Sequence, residues 1–307
     1  MYLIYDVHMD EIDIRLSMLL MRNSRIPYRD LADDLGISIQ AVHRRIQLMR
    51  EMGVIREFVT QPSSKALGCV NVFIFGRSLS RSMDETVSEL GSDDHVDGIY
   101  VASGNMMFIS AILRDVSELD DLTELIRKTG QIPEPRVGIT IQNVRPPGEK
   151  GGAPLSKTDY AIIRSLHHDS RKSVTDVARE IGISARSVNR HLGQMAKFGL
   201  IEFKIQWFPC ECRDIFAMMH LNLLPGLDKN AVVSDLRKRH GVKVLLPMTF
   251  SNIPNYILLL AWSTSSKDLE ELQRSIEKEG SVSTVMADIL YVGHPFSNWR
   301  DELIDGK

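Results

Sequence analysis

One fifty-residue block occurs twice in this chain, and that repeat constrains the fold more than any other feature of the sequence. Residues 9–58 and 155–204 align without a gap at a constant offset of 146, and fourteen of the fifty aligned positions are identical. The triplet Gly36-Ile37-Ser38, for example, recurs as Gly182-Ile183-Ser184. A repeat of this length indicates that the 307-residue chain is built from two copies of one structural unit.

Each block has the pattern of three short helices and an extended strand. In the first copy, apolar residues at helical spacing predict helices over Asp10–Met21 and Tyr28–Leu35. Gly36 suits the left-handed position that ends many helices, and Ser38 is placed to cap a third helix. The second copy repeats these features 146 positions later, with Ser173 as a further cap. The extended stretch after each third helix is typical of the wing of a winged helix.

The segment after each block changes to the pattern of strands, interrupted by two short helices. In both copies the predicted order is strand, helix, strand, strand, helix, strand, which is the ferredoxin-like βαββαβ unit. Both helices of such a unit cover one face of an antiparallel sheet, so the other face is free to pair. We therefore predict an α+β fold in which two winged helix-turn-helix domains alternate with two ferredoxin-like domains.

The order of these elements sets the domain boundaries. We predict a winged helix-turn-helix domain at 1–60, a ferredoxin-like effector or dimerisation domain at 61–145, and a linker at 146–154. A second winged helix-turn-helix domain follows at 155–206 and a second ferredoxin-like domain at 207–307. The linker lies in the stretch NVRPPGEKGGAP, whose three prolines and three glycines predict an extended or flexible segment.

The net charge of −3 hides an uneven distribution of charge along the chain. The first block is neutral and the second carries +4, whereas the segments that follow them carry −4 and −2. Binding to nucleic acid depends on a locally basic face and not on the total charge. The second block is therefore the more basic of the two candidates for binding nucleic acid.

Polar and basic residues early in the third helix of each block are the candidates for DNA recognition. In a helix-turn-helix, the start of this helix lies against base edges in the major groove. Arginine suits guanine, asparagine and glutamine suit adenine, and cationic side chains can instead bind phosphate. The capping serines place a helix N-terminus near the phosphate backbone. The candidates are Ser38, Gln40, His43, Arg44 and Arg45 in copy one, and Ser184, Arg186, Ser187, Asn189, Arg190 and His191 in copy two.

The pattern S-R…L-A-x-x-L-G-I-S-x-x-x-V-x-R-R…G-V-I, followed by a βαββαβ segment, resembles the Lrp/AsnC (feast/famine) transcriptional regulators. The resemblance covers nearly the whole chain, twice, and is similar to tandem, double-length members found in archaea. It implies that the winged helices bind double-stranded DNA. It also implies that the ferredoxin-like domains form a homodimer or higher homo-oligomer and often bind an amino acid or similar effector at a subunit interface. We expect no cofactor and no enzymatic activity.

The turn between the second and third strands departs from the family pattern. The family commonly has a G-x-Y-D type turn here, whereas this chain has Gly-Asn-Met-Met in copy one and Ser-Asn-Ile-Pro-Asn in copy two. The carboxylate that would help to hold an α-amino group is missing from both copies. If an effector binds, the residues to test are those of the turns themselves, Gly104, Asn105, Asn252 and Asn255. The alternative is that they only form tight turns.

The three cysteines, Cys69, Cys210 and Cys212, are candidates for a redox switch between wing and effector domain, or simply small residues at a strand entrance. Cys210 and Cys212 are too close in sequence for the usual zinc spacing, so we expect no metal. Three cysteines do not make a disulfide framework.

No apolar run is long enough to span a membrane, and residues 1–13 lack a signal-peptide pattern. We therefore expect a cytoplasmic protein without membrane contact.

Two alternatives to a DNA-binding regulator remain open. Siroheme decarboxylases resemble the same two-domain unit without binding DNA, and they use histidines in a stretch before the third strand. The matching stretches here, residues 97–103 and 245–250, contain no histidine. The other alternative is a ligand sensor that acts through protein partners, which a failure to bind DNA at low salt would favour.

The two copies match in their scaffold and differ at their groove-facing positions. Gln40 is replaced by Arg186, His43 by Asn189 and Arg45 by His191. We therefore predict that the two DNA half-sites differ, and that the second copy binds DNA more strongly.

Overall fold

The computed structural model describes residues 8–140 and 155–306, and the predicted linker at 146–154 lies outside the described residues. The described residues form two compact units, and each unit combines matched segments of both copies. The helix-turn-helix unit contains residues 15–70, 155–208 and 297–306. The sheet unit contains residues 8–14, 71–140 and 209–296. Like segments of the two copies therefore pack together.

The helix-turn-helix unit contains three helices from each copy, as predicted from the sequence. In copy one they are α1 (Glu11–Arg22), whose first four residues belong to the sheet unit, α2 (Tyr28–Leu35) and α3 (Ile39–Glu51). The unit also contains a strand from each copy and a short helix after the first strand. The remaining elements of this unit are β1 (Ile55–Pro62), α4 (Ser64–Leu67), α7 (Lys157–Leu166), α8 (Val174–Ile181), α9 (Ala185–Lys197), β6 (Ile201–Trp207) and α12 (Trp299–Asp305).

Local capping fixes the ends of these helices, as the sequence predicted. Gly36 and Gly182 end α2 and α8 with φ angles of 67° and 73°, in the left-handed region that favours glycine. The hydroxyl of Ser38 accepts the backbone N–H of Ala41 at 3.1 Å, and Ser184 caps α9 in the same way. Ser173 caps α8 as predicted.

The strand that follows each third helix pairs with its equivalent in the other copy. Strands β1 and β6 form an antiparallel two-stranded sheet, with a register that runs from Phe58 opposite Ile205 to Pro62 opposite Ile201. These stretches were predicted as wings, and the sequence did not reveal that their partner would be the other copy. The pairing satisfies backbone groups that a lone strand would leave exposed.

A polar contact between the loops that follow α1 and α7 completes the join between the two copies. The hydroxyls of Ser24 and Ser170 are 2.6 Å apart. Arg25 donates to the carbonyl of Ser170, and Arg171 donates to the carbonyls of Ser24 and Ile26. Because each contact recurs with the copies exchanged, the two copies are related by an approximate two-fold axis within one chain.

The sheet unit contains two βαββαβ segments, which confirms the predicted α+β fold. Copy one supplies β2 (Val70–Arg77), α5 (Met83–Leu90), β3 (Val96–Ala102), β4 (Met106–Leu113), α6 (Leu119–Thr129) and β5 (Arg136–Ile139). Copy two supplies β7 (Ile215–Leu223), α10 (Lys229–His240), β8 (Val244–Thr249), β9 (Tyr256–Ser263), α11 (Ser266–Glu277) and β10 (Val282–Pro295).

The strands of both copies form one eight-stranded sheet with the order β5-β2-β4-β3-β10-β7-β9-β8. The halves join where β3 and β10 pair in antiparallel fashion, from Gly98 opposite Pro295 to Ala102 opposite Leu290. The outer edges also meet, because Thr140 forms an isolated bridge with Phe250. The sequence left open whether the ferredoxin-like domains pair within one chain or between two chains, and here they pair within one chain.

The two faces of the sheet bury different residues. Aliphatic side chains of copy two, such as Leu221, Leu259 and Leu272, form a core between the sheet and its helices. Aromatic side chains from both copies pack against one another, with Phe75 and Tyr256 stacked at 6.0 Å between ring centroids. Within the described part of the chain, no helix combines the length and apolar character needed to cross a membrane.

Candidate nucleic-acid interface

The third helices, α3 and α9, carry the residues predicted to bind DNA. Their inner faces are held in the core by Val42, Ile46 and Met49 in copy one, and by Val188 and Met195 in copy two. This spacing of three and four residues turns the positions between them outward. The exposed candidates are Ser38, Gln40, His43 and Arg44 in copy one, and Ser184, Arg186, Asn189 and Arg190 in copy two.

Three of the predicted residues, Arg45, Ser187 and His191, are only half-exposed. The His191 ring is 17% exposed, and its Nδ1 lies 2.7 Å from a carboxylate oxygen of Asp159, whose side chain is 14% exposed. Burial acts to raise the pKa of Asp159, but hydrogen bonds from Ser156 and His191 outweigh it and lower that pKa. His191 therefore connects α9 to α7, a role that the prediction of a DNA contact did not foresee.

The exposed surfaces of the two helices differ in charge. Arg186, Arg190 and Lys197 are exposed on α9, and that helix contains no acidic residue. On α3, Arg44 and Arg50 are accompanied by the carboxylate of Glu51. The exposed surface of α9, in copy two, is therefore more basic than that of α3.

The turns proposed for effector binding are held by local contacts. Gly104 and Asn105 have φ angles of 65° and 58°, and Arg77 donates to the Gly104 carbonyl. The amide of Asn252 accepts from the Ile139 N–H and donates to the Val137 carbonyl, both at 2.8 Å. That side chain therefore holds β5 against the turn between β8 and β9. Asn255, with a φ of 51°, accepts the N–H of Leu223 through its carbonyl.

Burial governs the chemistry of two of the three free cysteines. It raises the pKa of Cys210 and of Cys212 to about 12. The thiolate is the reactive form of cysteine, so both side chains are poorly suited to rapid oxidation near neutral pH. Cys69 is half-buried, and its sulfur lies 3.8 Å from the Ser64 carbonyl oxygen.

A buried polar cluster in the sheet unit was not found from the sequence. His220 Nδ1 lies 2.7 Å from the Tyr256 hydroxyl, and its Nε2 lies 3.0 Å from a carboxylate oxygen of Asp288. Burial raises the pKa of the Tyr256 phenol, so this group stays protonated. The signal available in the sequence was His220, a histidine in the middle of a mostly apolar predicted strand, FAMMHLNLL.

Comparison with known proteins identifies the family. Residues 9–56 and 155–202 match a family model described as winged helix-turn-helix DNA-binding. The HTH-type transcriptional regulator LrpA of Pyrococcus horikoshii is 30% identical over 125 residues, which cover 40% of this chain and 87% of that protein. The regulatory protein AsnC of Haemophilus influenzae is 26% identical over 141 residues, 44% of this chain and 93% of that protein. The chain belongs to the Lrp/AsnC family.

This Lrp/AsnC protein carries the winged helix twice, at residues 9–56 and 155–202, and each of these relatives spans somewhat less than half of it. A solved structure of the siroheme decarboxylase NirDL shares the fold of the whole tandem chain. The TM-score is 0.60, and the match covers 97% of this chain and 99% of that one at 14% sequence identity. An identity this low shows the common fold alone, so the chemistry of NirDL is not thereby transferred.

Proposed function

We propose that this protein is a sequence-specific DNA-binding transcriptional regulator in which one chain presents two different reading helices. The observation that carries the proposal is the outward row of polar and basic residues on both α3 and α9, in two winged helices paired about an approximate two-fold axis. Of the relatives in this family, LrpA is named a transcriptional regulator and AsnC a regulatory protein. Guanidinium and amide groups on such a helix have the donors that base edges in the major groove require.

The paired copies give the expected form of the operator. Two recognition helices related by a two-fold axis read half-sites about one DNA turn, roughly 34–36 Å, apart. Because Gln40 and His43 of copy one stand where copy two has Arg186 and Asn189, the half-sites differ in sequence. The operator is therefore an imperfect palindrome that a single chain can occupy.

The test is selection of bound duplexes from a random library, followed by binding measurements at two salt concentrations. We expect one enriched sequence with two unequal halves, and an affinity that falls with salt as phosphate contacts are lost. Light scattering of the complex, with one chain per duplex as the expected stoichiometry, checks the pairing within the chain. No enrichment at low salt would overturn the proposal, and identical half-sites bound equally would overturn the asymmetry.

A second candidate is a tetrapyrrole enzyme, favoured by the fold shared with NirDL over the full tandem chain. Among the described residues of the copy-two sheet, the buried histidine is His220, and its ring nitrogens face Tyr256 and Asp288. Mixing the protein with siroheme tests this candidate. A shifted absorbance band together with loss of the substrate carboxylates would establish it, and an unchanged spectrum would exclude it.

A further inference from the structure

Tyr28 at the start of α2 contacts an exposed residue of the reading helix in its own copy and a cation from the other copy. Its ring and that of His43 are 4.5 Å apart between centroids with an interplanar angle of 66°, which is an edge-to-face arrangement. The guanidinium carbon of Arg171 lies 4.1 Å from the centre of the Tyr28 ring. The three side chains thus form a connected series from copy two to the recognition helix of copy one.

Arg171 is itself fixed, so it can act as a support. Its guanidinium donates to the backbone carbonyls of Ser24 and Ile26 in copy one. Burial lowers the pKa of Arg171, but the ordinary value of an arginine is so high that the group remains charged. A planar cation held by two carbonyls presents its face to an aromatic ring in one orientation, which favours a fixed Tyr28.

The second copy lacks this arrangement, although its backbone matches. Val174 stands in the place of Tyr28, and Asn189 stands in the place of His43. Arg25, the equivalent of Arg171, instead has its guanidinium carbon 5.6 Å from the centre of the Phe203 ring. The aromatic support of a reading residue is therefore a property of copy one.

We infer that Tyr28 is a positioning residue for His43, that Arg171 of the second copy holds Tyr28, and that His43 reads one base pair of the copy-one half-site. An exposed side chain normally loses rotamer freedom when it binds, and a ring already held in place loses less. An imidazole N–H is a donor, and the guanine edge in the major groove presents the acceptors O6 and N7. The inference rests on the proposed DNA binding and assigns to His43 a purine contact supported from the other copy.

The experiment measures base preference at every position of the selected duplex, using the full chain and single-base variants of that duplex. His43→Ala defines the position that His43 reads, and we expect its discrimination to fall at least about fivefold there. Tyr28→Leu is expected to lose discrimination at the same position, while Tyr28→Phe, which keeps the ring, retains most of it. The double variant Tyr28→Leu with His43→Ala should lose no more than His43→Ala alone. Arg171→Lys, which keeps the charge without the planar group, should give a partial loss at that position.

Val174→Ala is the matched control, because it truncates the equivalent side chain in copy two without touching an aromatic support. Val174→Ala should leave base preference at the His43 position unchanged, and thermal unfolding of each variant separates positioning from loss of fold.

A merely structural role of Tyr28 would weaken binding to all duplexes equally, and that result overturns the inference. The inference is also overturned if His43→Ala loses base discrimination while Tyr28→Leu keeps it. An unaffected Arg171→Lys variant overturns the link between copies. If the unmodified protein enriches no duplex, the proposed DNA-binding function itself fails. If it enriches a duplex and the variants behave otherwise than expected, only the inference about Tyr28 and Arg171 fails.

Discussion

The two helix-turn-helix copies have the same scaffold and different outer surfaces. Both second helices end at a left-handed glycine, and both third helices begin at a serine cap. The outward positions of α9 carry arginine and asparagine without an acidic residue, whereas α3 carries glutamine, histidine, arginine and one glutamate. Positions that packing fixes thus hold similar residues in the two copies, and several exposed positions differ. A duplicated helix-turn-helix domain can in this way come to recognise two different DNA sequences.

The copies also differ in what completes their cores. The C-terminal helix α12 packs on copy two, where Ile304 is fully buried in a core with Ile162, Ile163 and Leu166. Arg164 donates to the Ile304 carbonyl at 2.7 Å, which holds the end of the helix. The more basic copy is therefore stabilised by a helix whose contact from Arg164 to Ile304 spans 140 positions of the sequence.

The largest effect is expected from Ile304→Ala. Removing a fully buried aliphatic side chain leaves a cavity, so the free energy of unfolding should fall by about 2–5 kcal/mol. Urea denaturation measures this change. The neighbouring Leu303→Ala is the control, because its side chain is 39% exposed and should cost less than about 1 kcal/mol. Equal losses in the two variants would show that α12 does not complete the core of copy two.

The next prediction tests whether α9 binds DNA more strongly than α3, as we propose. Arg190→Ala should weaken specific DNA binding by about 1–3 kcal/mol if the side chain contacts a base, and Arg44→Ala at the equivalent position should weaken it less. The reason is that Arg190 belongs to the surface without acidic residues. Binding isotherms on the selected duplex and on random DNA give the measurement. A larger loss in Arg44→Ala would reverse the proposed ranking of the copies.

An effect of similar size, but one that depends on pH, is expected from His167, which has Met21 at the equivalent position of copy one. His167 is buried, with Nδ1 2.9 Å from the Thr60 carbonyl oxygen and Nε2 3.1 Å from an Asp301 carboxylate oxygen. Burial acts to lower the pKa of His167, but these hydrogen bonds outweigh it and raise that pKa. Because the folded protein holds the proton more tightly than the unfolded chain, the stabilisation is complete below the unfolded pKa, about 6.5, and is lost as pH rises through the folded pKa.

Unfolding of His167→Gln at a series of pH values measures this contribution. At acidic pH the variant should be less stable than the unmodified protein by about 1–3 kcal/mol, because a charge-assisted hydrogen bond is lost. The difference should shrink as pH rises above about 6.5 and through the raised pKa of the folded state. A difference that does not change with pH would mean that His167 is neutral in the folded protein.

Sequence patterns with short-range causes predicted most of the fold. The helix over Tyr28–Leu35, the serine caps and the left-handed glycines depend on residues within one turn of each other, and all are found where predicted. The candidate DNA-binding positions followed from the same helical periodicity, and eight of the eleven are exposed. The role of His191 was not predicted, because its partner Asp159 is 32 residues away and only the packing of α9 on α7 brings them together.

Sequence patterns were enough to show that the chain contains two copies, that each copy has helices with predictable caps and a βαββαβ segment, and that the outer faces of the third helices differ. The pairing of β1 with β6, the pairing of β3 with β10 and the entry of α12 into the core of copy two became visible only in the folded chain. The difference lies in the sequence distance over which these interactions act. Caps and periodicity act within a few residues, whereas edge strands and buried faces take whichever complementary surface the folded chain brings to them, at any distance in sequence.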